Sequence, residues 1–215
     1  MQTSAMGLPR KKFSYDDVRA VPEPLVAELI DGDLLTSPRP GVRHANAASA
    51  LGGLLFEPFR RGIGGPGGWT IFDEPELHLG EDVVVTDLAG WRRERFAAVD
   101  REAVGIDVPP DWVCEVLSPS TARIDRARKL PLYAREHVGH AWLIDPVAQT
   151  LESFQLSHDQ WMLLATYAGI TEVRVAPFDA IELDLSVLGA PGQGRPRERT
   201  ERRAHPAVGL TTVAW

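Results

Sequence analysis

The chain has 215 residues, 44% of them hydrophobic and 25% charged, an ordinary globular composition with enough sequence to close one sizeable core. Its formal charge of −7 excludes a protein that coats nucleic acid non-specifically, because neutralising phosphates needs a surplus of Lys and Arg, but it leaves room for a local basic cleft. The single cysteine, Cys114, excludes a disulfide framework or a thiolate metal site, and no window approaches the roughly 18 apolar residues of a membrane span, so a cytoplasmic protein is expected.

Met1 to Lys12 carries Arg10, Lys11 and Lys12 with no apolar stretch behind them and reads as a disordered N-terminus. Phe13 to Ala20 predicts a short helix capped by Ser14, with Asp16 and Asp17 in its first turn. Leu25 to Ser37 predicts a hairpin turning at Asp31-Gly32. An Ala- and Leu-rich helix is expected from Val42 to Arg61, stopped by the glycines from Gly62 to Gly68.

Trp69 to Leu79, Asp82 to Leu88 and Asp111 to Leu117 predict three strands, the last two apolar on both faces as interior strands are. Trp91 to Asp107 is charged and reads as a surface excursion with a short helix. Ser118-Pro119 predicts the start of one long helix reaching about Val138, and four short β-runs follow, at His140 to Asp145, Thr150 to Leu156, Gln160 to Tyr167 and Glu172 to Val175.

The expected fold class is therefore α/β, a mixed β-sheet flanked by helices, in one domain over residues 13–188. From Gly189 the composition turns to Arg, Pro and Gly, and residues 189–215 read as a disordered tail. That tail holds five arginines against two glutamates, a charge of +3 that leaves −10 on the rest.

Two carboxylates stand on strands that otherwise read as core: Asp87 after Val83-Val84-Val85-Thr86, and Glu115 inside Trp112 to Leu117. A bare buried carboxylate is costly and must be neutralised, hydrogen-bonded or balanced by a cation. If the two strands are neighbours, the two acids converge, and paired hard oxygen ligands suit Mg²⁺ or Mn²⁺. Taken singly, Asp87 also fits a turn aspartate and Glu115 an acceptor for helix-start amides.

Lys129 stands out because the chain has only three lysines against 20 arginines, and the other two are the adjacent Lys11 and Lys12. A compact amine in place of a guanidinium fork points to a specific need at that position. The helix after Glu115 can swing back over the sheet and bring this amine toward both acids; Asp125, Lys129 and Tyr133 share one helix face, with a plain Asp125 to Lys129 surface pair as the alternative.

Glu28-Leu-Ile-Asp-Gly32, Asp87 ending an apolar strand, Glu115-Val-Leu-Ser-Pro-Ser-Thr121, Lys129 with Tyr133, and Ala141-Trp-Leu-Ile-Asp-Pro146 together resemble the Uma-two family of candidate restriction endonucleases. That family belongs to the PD-(D/E)XK nuclease superfamily, and the resemblance runs from about Phe13 to Leu188. It implies a restriction-endonuclease-like core in which Asp87, Glu115 and the backbone carbonyl of Val116 hold Mg²⁺ or Mn²⁺. Lys129 would orient the attacking water or stabilise the pentacoordinate phosphorus, and Glu28 would be an acid beside the metal. His44 matches a family histidine without an assigned role.

The activity implied is metal-dependent hydrolysis of phosphodiester bonds in nucleic acid, taken as DNA, with a homodimer expected by analogy. Two positions depart from the family pattern. Thr86 replaces the usual proline before the first aspartate, and Pro131 removes an amide that would bond Ala127, so it should kink or split the helix that aims Lys129. The competing reading is a nuclease fold without activity that serves as a nucleic-acid or protein-binding module. A serine hydrolase is disfavoured because Ser118-Pro119-Ser120 is no Gly-x-Ser-x-Gly elbow.

Overall fold

A computed structural model describes residues 12–169 and 172–188 of the chain. The expectations for the extreme N-terminus and for the tail from Gly189 fall outside the described residues, apart from Lys12.

The first helix, α1 (Tyr15–Arg19), follows Ser14, whose amide donates to the Asp17 carboxylate at 2.9 Å. The hairpin pairs β1 (Val26–Ile30) with β2 (Asp33–Ser37) across the Asp31-Gly32 turn, where both residues adopt positive φ. Helix α2 (Val42–Leu55) runs on into a π-helical turn over Phe56–Arg61, which contains Pro58 and stops at Gly62 in the left-handed region, φ 74°.

The next two predicted strands each divide. Trp69 to Leu79 is β3 (Trp69–Asp73) and β4 (Glu76–Leu79), separated at Glu74, whose φ is 46°, and Pro75. Asp82 to Leu88 is β5 (Asp82–Val85), after which Thr86-Asp87 lead into β6 (Leu88–Arg92), so Trp91 and Arg92 are strand residues and not part of the surface excursion. A short helix, α3 (Arg93–Phe96), then opens that excursion.

Each division moves the chain from one sheet to another. A four-stranded antiparallel sheet has the order β2-β1-β5-β4. The six-stranded sheet has the order β10-β9-β8-β7-β6-β3, from β7 (Trp112–Val116), β8 (His140–Asp145), β9 (Thr150–Ser157) and β10 (Gln160–Ala168). It is mixed, since β7 and β8 run parallel and its other pairs antiparallel. The single central sheet expected from the sequence is thus two sheets joined by β3–β4 and β5–β6, and a two-stranded ribbon of β11 (Glu172–Val173) and β12 (Leu183–Asp184) precedes a 3₁₀ turn over Leu185–Leu188.

The long helix is also subdivided, into α4 (Ala122–Ile124), a π-helical turn over Asp125–Lys129, and α5 (Leu130–Arg135). Pro131 accounts for the break: it has no amide to offer Ala127, and the widened turn just before it absorbs the missing bond. Ser118 does not cap this helix directly; it opens a preceding turn, in which the Thr121 amide meets its Oγ at 3.3 Å, and Thr121 sits at the cap position.

Alternation along β7 divides the interior. Trp112, Cys114 and Val116 face a cluster with Leu51 and Leu55 of α2, Trp142 and Phe178, whereas Val113 faces a second cluster with Ile30, Val84, Leu132, Tyr133 and Leu143. α2 and the C-terminal turn cover one face of the large sheet; α5 and the small sheet cover the other. No helix among the described residues is long and apolar enough to cross a membrane.

Candidate active site

The two divisions of the predicted strands place the acids. Asp87 lies where the chain crosses from β5 in the small sheet to β6 in the large one, and β6 pairs with β7, which carries Glu115. The buried Thr86 hydroxyl donates to the carbonyls of Cys114, 3.1 Å, and Leu88, 3.2 Å, pinning the crossing to β7. A hydroxyl thus does the fixing where the family pattern has a proline.

Both Asp87 oxygens have partners. Oδ2 accepts from the Val116 amide at 2.7 Å, and Oδ1 lies 3.2 Å from Nε2 of His44, in the first turn of α2. Burial pulls the His44 imidazole down, but the hydrogen bond and charge of Asp87 outweigh it, so His44 titrates above the ordinary histidine value. The other ring nitrogen, Nδ1, is buried without a hydrogen-bond partner.

Glu115 is 2% exposed and is held from the opposite direction: Tyr133 on α5 donates to Oε1 at 2.5 Å, and Lys129 reaches Oε2 at 3.4 Å. Burial pushes the Glu115 carboxyl well above the usual range; Lys129 opposes that shift, while Asp125 and Asp87 add to it.

Lys129 is the centre of the cluster. Its ammonium, 5% exposed, donates to the Val85 carbonyl at 2.8 Å and to Glu115 at 3.4 Å, forms an ion pair with Glu28 at 2.9 Å, and stands 3.7 Å from Asp125. Burial pulls its pKa down, yet Glu115 and Glu28 overcome this and hold it well above the ordinary lysine value, so the amine is charged. Glu28 on β1 also accepts from the Val85 amide at 3.0 Å. Burial pushes Asp125 up to about 6, against the pull of Lys129 and of a hydrogen bond from Thr121.

Asp87, Glu115, Lys129, Glu28 and His44 therefore lie in one place, lining a single cleft of about 860 Å³, while Val116 and Tyr133 are not among its lining residues and reach it through their hydrogen bonds to Asp87 and Glu115. Sequence reasoning placed Asp125 on the helix face of Lys129 and Tyr133, with a plain surface pair as the alternative; at 2% exposed and lining the cleft, it is not a surface residue. It missed the Val85 carbonyl altogether, since a backbone group carries no residue identity. Spacing from Lys129 was the signal for Asp125 and Tyr133. The rim differs from the floor: Arg19, Arg39 and Arg43 line the mouth and are exposed.

The donor chemistry suits a hard divalent cation. Four carboxylates, of Glu28, Asp87, Glu115 and Asp125, meet one ammonium and one imidazole in the floor, which leaves acidity uncompensated. Among the described residues, no three His, Cys, Asp or Glu side chains form a ready-made cage. That is the usual situation for Mg²⁺, which keeps several waters and takes one or two carboxylates.

The chain is thus a mixed α/β fold with acids and a lysine clustered where it crosses between sheets. A family model described as "Putative restriction endonuclease", Uma2, matches residues 15–187, and the chain belongs to that family. Among solved structures, a putative nuclease of the DUF820 group from Anabaena variabilis is similar, at TM-score 0.61 and 21% identity over 82% of this chain and 97% of that one, a likeness of fold. No curated protein matches the chain.

Proposed function

We propose that this protein is a divalent-metal-dependent endonuclease that hydrolyses phosphodiester bonds in DNA. The observation carrying this reading is the buried group of Glu115, Glu28, Asp125 and Lys129, with the half-buried Asp87 beside them, in the floor of a cleft whose rim bears arginines, in a chain of the restriction-endonuclease family. The choice of DNA rests on the family's description, and the exposed Arg19, Arg39 and Arg43 are suited to a phosphate backbone.

Asp87, Glu115 and the Val116 carbonyl would hold Mg²⁺ or Mn²⁺, which when bound lowers the pKa of a water and offsets charge growing on the phosphate oxygens. The protein's contribution is preorganisation. His44 and the Val116 amide fix the two Asp87 oxygens, and Tyr133 and Lys129 fix the two Glu115 oxygens, so neither carboxylate has to search for its orientation. Lys129 directs its N–H groups to Val85, Glu28 and Glu115, and so supports the acids and keeps a positive charge beneath the phosphate site.

The test is cleavage of supercoiled and linear duplex DNA with Mg²⁺ or Mn²⁺ by wild type, Asp87→Ala and Glu115→Ala, with a thermal melt of each. Activity should fall at least about a hundredfold in variants that remain folded, the range for removing a group that stabilises transition-state charge. Undiminished cleavage by either folded variant would overturn the assignment.

A second reading, a nuclease fold that binds without cutting, is favoured by the chain's charge of −7 and by Pro131, which breaks the helix two positions after Lys129. Calorimetric titration separates the two, since an endonuclease binds Mn²⁺ in wild type and loses it in the Asp87→Ala, Glu115→Ala double variant.

A further inference from the structure

Four strands stand at the ends of the two larger sheets, and three of them are guarded. Along β4, Ile106 forms a bridge, donating its amide to Glu76 and accepting from His78, both at 2.9 Å. On β3, Arg60 donates to the Ile71 carbonyl at 2.5 Å. β2 has only five residues and begins with Asp33, which pairs with Arg128 at 3.3 Å. Short length, charge and a covering loop are the usual ways to blunt a sheet edge.

β10 has none of these. It is nine residues long, Gln160 to Ala168, without a charged side chain, and among the described residues it is paired on one side only, with β9. Met162, Leu163 and Leu164 are 49%, 52% and 41% exposed, three consecutive apolar side chains on one strand. Its one guard is a bulge-like register shift between Leu163 and Ala165, which twists the edge locally but leaves these three side chains exposed.

We propose that β10 is the edge through which two copies of this chain pair, antiparallel about a two-fold axis, joining their six-stranded sheets into one. A two-fold contact brings a strand against its own reverse, so any charge near the axis meets its like. An uncharged edge is what such self-pairing requires, and apolar side chains facing each other across the strands stabilise it. Each copy carries −7 overall, so the chains repel at a distance, and an uncharged strand is where two of them approach with least cost. Added salt screens that repulsion and tightens the pair. This inference stands apart from the nuclease reading, because β10 lends no residue to the cleft.

Sedimentation equilibrium of the full chain over a range of concentrations tests it, at low and moderate salt. Wild type should dimerise, more tightly at the higher salt, and Leu163→Glu and Thr166→Lys should each weaken the dimer at least about tenfold by setting like charges across the axis. If Leu163→Glu fails to fold in a thermal melt, Thr166→Lys, which alters an exposed polar side chain, carries the same comparison. Single cysteines placed along β10 should form disulfide-linked dimers near the axis, without interference from the fully buried Cys114. A chain that stays monomeric, whether its edge is bare or covered by its own residues beyond Leu188, would overturn the proposal. So would a dimer indifferent to both charges.

Discussion

The two faces of β7 are equally dry and chemically opposite. Trp112, Cys114 and Val116 point into an aromatic cluster where Trp142 and Phe178 meet Trp112 edge-on, with centroids 5.2 and 4.8 Å away. Glu115, between them, joins the charged group of Lys129, Tyr133, Glu28 and Asp125. The aromatic face is held by contacts that fail one at a time. The charged face is held by partners that must all be present, because each satisfies a neighbour that would otherwise be a bare buried charge.

The largest expected effect follows from removing the hub of the charged face. Lys129→Met should cost about 3–5 kcal/mol of folding free energy, because it leaves Glu28, Glu115 and Asp125 without their cation, and urea unfolding measures it. Adding Glu115→Gln to that variant should recover part of the loss; a strictly additive double variant would show that the residues are not coupled. Tyr133→Phe comes next. Deleting the hydroxyl leaves Glu115 Oε1 without its donor, at about 1–3 kcal/mol, although the ring's packing is unchanged.

On the aromatic face a comparable small change should do less: Ile144→Val removes one methylene from a fully packed cluster, at about 0.5–1.5 kcal/mol. The smallest effect concerns His140, at the start of β8. Burial and then the nearby Arg92 lower its pKa, so the unfolded chain binds its proton first. Its contribution is present above the ordinary histidine pKa of about 6.5 and is lost as pH falls below that value through the folded one. In His140→Gln the slope of stability against pH in that window should flatten.

The sequence revealed the cluster better than the scaffold that makes it. Asp87 and Glu115 were conspicuous because a charge inside an apolar run has to be accounted for, and Lys129 because arginine serves elsewhere. The scaffold was harder to read because Val83 to Trp91 is apolar almost throughout, and such a run does not say where a chain leaves one sheet for another. Two local signs did exist: Glu74-Pro75 and Thr86-Asp87 are polar or proline interruptions, and both mark a crossing. Pro131 forecast a disturbed helix, yet local rules give only the disturbance; that the π-helical turn keeps Lys129 over the acids is decided by the strands beneath it.

The Lys129 ammonium has a consequence for the order of assembly. It meets Glu115, 14 positions away, and the Val85 carbonyl, 44 positions away, while Glu28 on the first hairpin closes onto the Val85 amide from 57 positions away. No stretch of the nascent chain short of Lys129 contains the whole set, and no early hairpin can rehearse it. The cleft floor is therefore a keystone that closes only where β1, β5, β7 and the turn carrying Lys129 stand together, so an intact floor reports that both sheets are in place.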